Sequence, residues 1–376
     1  MRNSRRGAVD PFIVMDVMEA ARQAEAAGRH IVHMEIGQPG TPAPSQARAA
    51  LIEDLGADAM GYTVALGLPA LREGVASLYK RWYNIDLDPA RVIVTSGSSG
   101  AFVLAFTALF DAGARVGLGE PGYPSYRQIL KALDLVPVGL PTKADNRYQP
   151  VPADFAGLGL DGLIVASPAN PSGTMLDRGA LSALIDASAK GGTTFVSDEI
   201  YHGLHYDAPA VSALEISDDV CVINSFSKYF SMTGWRVGWM VVPEAQVRAV
   251  ERLAQNMFIC APHVSQKAAL AALECIDETE AMRAVYAKNR QLMLEGLPKA
   301  GFDKIAPPDG AFYVYADVSE LTDDSRAFAA EILERAGVAV TPGLDFDPAR
   351  GAKTFGFPTP KGRRRSKKGC PVCMTS

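Results

Sequence analysis

The sequence predicts an α/β protein with a mostly parallel sheet in a large domain and a smaller α+β domain. Between about Arg91 and Val242, short apolar runs recur, and helical patterns separate most of them. Apolar strands that alternate with helices form parallel sheets covered on both faces. After about Ala261 the order changes to a long helical segment, a strand and another helix, which predicts the second, smaller unit.

The elements follow in order along the chain. A helix over 11–27 is predicted because apolar residues recur at helical spacing and Gly28 can end it. A strand over 31–36 leads into Gly-Gln-Pro-Gly-Thr-Pro (37–42), whose glycines and prolines predict a loop. Further helices are predicted over 45–55, 69–83, 101–111 and 324–336. Further strands are predicted over 92–95, 115–118, 133–138, 162–166, 193–197, 220–223, 237–242, 310–316 and 338–341.

Composition narrows the class of protein. The 376 residues carry 37 Lys and Arg against 42 Asp and Glu, a formal charge of −5, with 48% hydrophobic residues. These values exclude global disorder and disfavour binding to nucleic acid. No apolar run is long enough for a membrane helix, and no apolar segment follows the basic start as in a signal peptide. Scattered cysteines in apolar stretches predict reduced thiols and a cytoplasmic location.

Two glycine-rich segments are candidates for phosphate binding. Gly-Leu-Gly-Glu-Pro-Gly (117–122) spells a dinucleotide fingerprint, but Pro121 and Pro124 disfavour the helix that this motif must open, so we treat it as a chance match. Ser-Gly-Ser-Ser-Gly (96–100) lies between a strand and a helix, where backbone N–H groups and the helix dipole favour an anion. Taken alone, this segment is more typical of a plain strand–turn–helix connection than of a phosphate site. The histidines show no spacing typical of a metal site.

Polar groups of different kinds follow several predicted strands. Asn170 lies in a turn after one strand and Asp198 directly follows another. Lys228 follows a third strand, and Arg236 comes eight residues later. Each could be a cap, a turn or a solvated side chain, but ligands of α/β sheets bind where the carboxyl ends of strands meet. Their convergence therefore predicts a binding site.

Taken in order, these residues resemble the class I/II aminotransferases, which are fold-type I pyridoxal-phosphate (PLP) enzymes. The resemblance covers about residues 10–350. It is carried by one set of motif residues: Tyr62, Gly97, Tyr123, Asn170, Asp198, Tyr201, Lys228 and Arg236. It implies a seven-stranded sheet in the large domain and a small domain built from both ends of the chain. We accordingly expect small-domain segments over 1–44 and 281–353, a PLP-binding large domain over 45–280, and an aberrant tail over 354–376.

The resemblance also implies catalytic roles. Lys228 would form the Schiff base with PLP and then move a proton at the substrate. Asp198 would face the ring nitrogen of PLP and keep it protonated, because the ring is an electron sink only in that form. Asn170 and Tyr201 would hydrogen-bond the ring oxygen. The expected catalytic residues are therefore Lys228, Asp198 and Tyr201.

The remaining roles concern phosphate, ring face and substrate. Tyr123 would stack on the ring, and Tyr62 would reach the phosphate of a neighbouring subunit, which implies a homodimer. Gly37 would contact the substrate carboxylate through its backbone, together with Asn170. The groups expected around the phosphate are Gly97, Ser98, Ser99, Ser225 and Arg236.

The implied function is amino transfer between an amino acid and a 2-oxo acid by a ping-pong route, in amino acid metabolism or biosynthesis. Two alternatives remain open. One is a PLP-dependent C–S β-lyase on the same site. The other is a catalytically impaired PLP-binding protein, because the arginine that binds the substrate carboxylate near the C-terminus of this family is missing.

The missing arginine lies in a segment that departs from the family pattern. The sequence from Thr354 reads Thr-Phe-Gly-Phe-Pro-Thr-Pro, where an arginine is expected near residue 355. Read from the third base of codon 354, the codons become NTT, YGG, NTT, YCC, NAC and NCC, which permit an apolar residue followed by Arg, Phe, Ser, Tyr and Ala. We therefore hypothesise the loss of a single base near codon 354. Resequencing that finds no lost base would contradict it.

The same hypothesis accounts for an unusual tail. Six basic residues lie within 361–376 without an acidic one, together with Cys370 and Cys373. A basic nucleic-acid arm and a Cys-x-x-Cys redox or zinc site are the alternatives. In the other frame the stretch from Lys367 can encode an amphipathic final helix.

Overall fold

The computed structural model describes residues 2–359. Its large domain is a seven-stranded sheet of order β2-β8-β7-β6-β5-β3-β4, and β8 is antiparallel to both of its neighbours while the other pairs are parallel. The strands are β2 (Val92–Thr95), β3 (Arg115–Glu120), β4 (Val136–Pro141), β5 (Gly162–Ala166), β6 (Thr194–Asp198), β7 (Cys221–Ser225) and β8 (Gly238–Val241). The expected sheet is therefore confirmed.

Helices cover both faces of this sheet, which explains why its strands are apolar throughout. In β2, Val92 and Val94 pack into one buried cluster and Ile93 into the other, because successive side chains of a strand point to opposite faces. Helices on the first face are α3 (Pro69–Tyr83), α6 (Arg178–Gly191) and α8 (His263–Ala272). Those on the second are α4 (Gly97–Leu109), α5 (Pro124–Ala132) and α7 (Glu244–Met257). The remaining helix of this part is α2 (Ser45–Ala57), which packs against α8.

The small domain is a five-stranded sheet of order β1-β11-β12-β10-β9, built from both ends of the described chain. Its strands are β1 (Val32–Met34), β9 (Lys304–Ala306), β10 (Tyr313–Asp317), β11 (Val338–Pro342) and β12 (Thr354–Pro358). Its helices are α1 (Ile13–Ala26), α9 (Ile276–Gly296) and α10 (Ser325–Ala336). Strand β1 pairs in parallel with β11, which joins the N-terminal segment to the rest.

The segment 354–358, which the sequence analysis assigns to the tail, forms β12 between β10 and β11. Phe355 and Phe357 are buried in the core of the small domain, so both have the packing of ordinary strand residues. The basic residues from Lys361 onward, the pair Cys370 and Cys373, and the hypothetical final helix lie outside the described residues.

Within residues 2–359, none of the helices combines the length and the apolar character needed to cross a bilayer.

Candidate active site

A cavity of about 250 Å³ lies between the two sheets, at the carboxyl ends of β5 and β6. Most of the residues expected in the site line it: Gly37, Ser98, Ser99, Tyr123, Asn170, Asp198, Tyr201, Lys228 and Arg236. The parallel register explains part of this convergence, because Ala166 of β5 pairs with Asp198, and Asp198 pairs with Ile223 of β7. Polar residues at or just after these strand ends therefore meet at one edge of the sheet.

Lys228 reaches across the cavity from the loop after β7. Its Nζ donates a hydrogen bond to the carbonyl oxygen of Gly37 at 2.5 Å. Burial lowers the pKa of the Lys228 amine to about 8, although the charge of Asp198 favours the protonated form. The amine can therefore gain or lose a proton near neutral pH, as a group that transfers protons must.

Asp198 ends β6 and is only 3% exposed. Its Oδ1 accepts the backbone N–H of Ile200 at 3.1 Å, and the hydroxyl of Tyr126 donates to its Oδ2. Burial raises the pKa of this carboxyl to about 6, and the two hydrogen bonds oppose the rise. The carboxylate is thus ionised at neutral pH and held in a fixed orientation.

The start of α4 and the guanidinium of Arg236 form an anion cradle. Gly97 opens the helix with φ +71°, and a Cβ at this position would lie 2.3 Å from Nη2 of Arg236. Only glycine therefore permits both this backbone conformation and the close approach of the guanidinium. A helix N-terminus and an arginine together favour a doubly charged anion such as a phosphate ester.

Asn170 and Tyr201 lie on the same wall. The Oδ1 of Asn170 is buried and has no hydrogen-bond partner in the described part of the chain. A buried polar atom without a partner is costly, and here it lines a cavity, which is what a ligand-binding group requires. The hydroxyl of Tyr201 pairs with that of Tyr313 at 2.8 Å.

Three expected residues do not line the cavity. Gly97 contributes through the cradle and not through the wall itself. Ser225 is 2% exposed; its hydroxyl lies 3.0 Å from the Val237 carbonyl oxygen and 2.8 Å from the hydroxyl of Ser227, which lines the cavity. The expected role of Ser225 at the phosphate stays a prediction. Tyr62 lies on the surface, 83% exposed.

The small-domain wall was not predicted from the sequence. It is formed by residues around the start of α1 and after β1, which are Phe12, Val14, Met15, Glu35 and Ile36. Asp345 positions the first of these segments, because its Oδ1 accepts the N–H of Ile13 at 3.0 Å and its Oδ2 that of Val14 at 3.1 Å. These pairs are separated by more than three hundred residues, so no local pattern reveals them. Tyr126 was also missed, because its hydrogen-bond partner Asp198 lies 72 residues away in the chain and no local pattern joins them.

Comparisons with known proteins agree on one family. The model of the family "Aminotransferase class I and II" matches residues 29–351. A valine–pyruvate aminotransferase of Mycobacterium tuberculosis is 47% identical over 356 residues, which are 93% of this chain and 92% of that protein. A crystal structure of an aminotransferase from Mycobacterium tuberculosis has a TM-score of 0.97 at 44% identity, covering 100% of this chain and 98% of that one. A crystal structure from Silicibacter pomeroyi has a TM-score of 0.95 at 67% identity, with coverages of 100% and 98%.

The electrostatics of the cavity predict the titration of Lys228. In the cofactor-free protein, we expect the amine to titrate near pH 8, and Asp198→Asn to lower this pKa further because it removes the charge that favours the ammonium. NMR titration of ¹³C-methylated lysines measures it. Asp345→Asn is the matched control, since Asp345 lines the same cavity but does not act on Lys228. Titration near the ordinary 10.5, or a rise in Asp198→Asn, contradicts the prediction.

Proposed function

We infer that this chain, which belongs to the class I and II aminotransferase family, moves an amino group between an apolar monocarboxylic amino acid and pyruvate. That the protein is a PLP-dependent aminotransferase, which acts on an amino acid and a 2-oxo acid, follows from its family and relatives. The choice of substrates is the proposal. One observation carries it: the small-domain wall of the cavity is apolar at Phe12, Val14, Met15 and Ile36.

The described cavity fits PLP. We propose that the cradle of Gly97, Ser98, Ser99 and Arg236 holds the phosphate, with the hydroxyl of Ser227 nearby. The unpartnered side chain of Asn170, together with Tyr201, supports contacts to the ring oxygen. The remaining ring contacts would come from Asp198 at the ring nitrogen, Tyr123 at the ring face and Lys228 at the aldehyde carbon.

The chemistry divides between cofactor and protein. When bound, PLP withdraws electrons from the substrate α-carbon and so makes its proton acidic. Lys228 would take that proton on Nζ and return it, which its pKa of about 8 permits near neutral pH. Asp198, held by Tyr126 and Ile200, would keep a negative charge facing the ring nitrogen. Gly37 would orient the substrate through its backbone.

Two alternatives were open from the sequence, namely a C–S β-lyase and an impaired PLP-binding protein. The named relatives are aminotransferases, so neither alternative is favoured. The apolar wall supports a substrate with an apolar side chain, since burying such a side chain contributes about 0.8 kcal/mol per methylene. The relative from Mycobacterium tuberculosis is named for valine and pyruvate, and each of these compounds carries a single carboxylate, as the proposed substrates do.

A second observation concerns the substrate α-carboxylate. Among the described lining residues, the basic ones are Lys228 and Arg236, and both are proposed to bind PLP, so neither is free for the substrate α-carboxylate.

The family match ends at residue 351, just before the segment that departs from the family pattern. If one restored base completes the codon for residue 354, the arginine codon of the other reading frame falls at position 356. A Cβ at Gly356 would meet the ring of Phe346, a lining residue, whereas Phe355 and Phe357 face the core. We therefore propose that position 356 is where the carboxylate-binding arginine belongs.

A third proposal is the homodimer. Tyr62 is 83% exposed, and large apolar side chains near it in the chain are also exposed, Ile52 at 74% and Val64 at 59%. Contiguous exposed apolar surface marks protein interfaces, so the exposure of these side chains supports the dimer that the resemblance implies. A second copy covering this surface would bring Tyr62 to the partner's cradle, as the resemblance implies.

The substrate proposal predicts a donor preference. We expect valine and other apolar donors to react with pyruvate with a kcat/KM at least about tenfold above aspartate or glutamate, because no described basic side chain remains to pair with a second carboxylate. A panel of donors and oxo acids with the PLP-loaded protein measures it, with ammonia and pyruvate release assayed in parallel. Preference for a dicarboxylic donor, or release of ammonia in place of amino transfer, contradicts the proposal.

The missing guanidinium predicts slow turnover. We expect the frame-restored chain to exceed this chain about 100-fold in kcat/KM, since a forked contact orients the carboxylate as well as binding it. Gly356→Arg should recover part of the difference and Gly356→Lys less, because lysine cannot bind through two parallel donors. Steady-state kinetics measure it, with PLP loading checked by absorbance. Equal turnover of this chain and the restored one contradicts the proposal.

The proposed dimer predicts that the hydroxyl of Tyr62 contributes to PLP binding. We expect Tyr62→Phe to leave a dimer in sedimentation experiments but to raise the Kd for PLP about tenfold, because a hydrogen bond to a charged group is lost. Tyr148→Phe is the control, since Tyr148 is outside the main cavity. A monomeric chain, or an unchanged PLP affinity in Tyr62→Phe, contradicts the proposal.

A further inference from the structure

Glu35 is a buried carboxylate on the wall of the cavity that the proposed chemistry does not use. It is 3% exposed and follows β1, directly before Ile36. The backbone there is fixed by Thr341, whose hydroxyl donates to the Glu35 carbonyl at 2.6 Å. The side chain therefore lies where the apolar part of the wall meets the small-domain sheet.

Only one of its two oxygens has a partner among the described residues. Oε1 lies 2.7 Å from Nδ1 of His33, whereas Oε2 is buried without a hydrogen bond. A buried carboxylate oxygen without a donor is energetically costly, so selection for stability alone would not favour it. Because Glu35 lines the cavity, a role toward a ligand accounts for this arrangement.

The charged groups around Glu35 do not cancel its negative charge. Burial disfavours the charged form of His33, but the hydrogen bonds that its ring donates to Glu35 and Glu25, together with the charges of these carboxylates, outweigh burial and raise its pKa. Glu25 lies 3.1 Å from the other ring nitrogen of His33, and its side chain is 45% exposed. Even with His33 protonated, two carboxylates face one imidazolium, which leaves this group with a net negative charge.

A second carboxylate stands on the same wall. Asp345 lines the cavity, and its hydrogen-bond partners there are two uncharged backbone N–H groups, those of Ile13 and Val14. The described basic lining residues, Lys228 and Arg236, belong to the large domain. The wall that would receive the substrate side chain is therefore apolar and carries two buried carboxyl groups.

We propose that Glu35 is a specificity-determining residue that excludes substrates carrying a second carboxylate from this cavity. The inference rests on the proposed function, because it explains how a monocarboxylic substrate is selected. In a site screened from water, two like charges repel more strongly than in solution, so a distal carboxylate is rejected by repulsion. The α-carboxylate is common to all substrates, and its interaction with Glu35 cancels when two donors are compared.

Glutamate and glutamine form the sharpest pair of probes, because they have the same shape and differ in the distal charge. The half-reaction of each donor with the PLP-loaded protein is followed by the absorbance of the bound cofactor, which records slow conversion as well. In Glu35→Gln we expect the preference for glutamine over glutamate to fall about tenfold relative to the unmodified chain. Glu25→Gln is the matched control: it removes the other carboxylate from His33, but the Glu25 side chain is 45% exposed and outside the cavity lining, so water screens its charge. Its ratio should stay within about twofold of the unmodified chain.

An unchanged ratio in Glu35→Gln, or an equal change in Glu25→Gln, overturns the inference. If Glu35→Gln fails to fold, as judged by its Tm, the inference is tested by comparing two competitive inhibitors of the unmodified chain. Valerate should bind at least about tenfold more tightly than glutarate, and equal inhibition overturns the inference. The proposed function fails separately, if the unmodified chain converts no monocarboxylic donor.

Discussion

The register of the parallel strands is the constraint on which the rest of the site depends. Asp198 is paired with Ala166 on one side and Ile223 on the other, so the ends of β5, β6 and β7 lie at one level of the sheet. The loops that leave these ends supply an amide, a carboxylate and an amine within one cavity. A change of register by one residue would reverse the direction of each side chain.

Burial and charge then set the chemistry. The same low-polarity surroundings lower the pKa of Lys228 and raise that of Asp198, and each group partly restores the charge of the other. Tyr126 and Ile200 orient the carboxylate, while the Gly37 carbonyl oxygen accepts a hydrogen bond from Nζ of Lys228 on the small-domain side. The cavity therefore depends on both domains, and neither sheet alone forms it.

In the proposed function, the small domain selects which substrate the cavity accepts. Its wall combines apolar side chains with Glu35 and Asp345, and β12 passes behind it with Gly356 facing Phe346. The departing segment keeps a strand in this place, because Phe355 and Phe357 still alternate into the core. The hypothesised loss of a charged side chain on the cavity face is thus compatible with retention of the fold.

The sequence by itself determined the fold class, the strands of the large sheet and the motif residues that follow them. Apolar periodicity and turn residues are local signals, and a parallel sheet converts strand ends into neighbours. What only the tertiary structure decided is the opposite wall. Asp345 reaches Ile13, and Glu35 meets the cavity only because β1 pairs with β11 three hundred residues later. Contacts between segments so distant in the chain leave no periodic trace in the sequence, because they depend on how the two sheets pack and not on the pattern within either one.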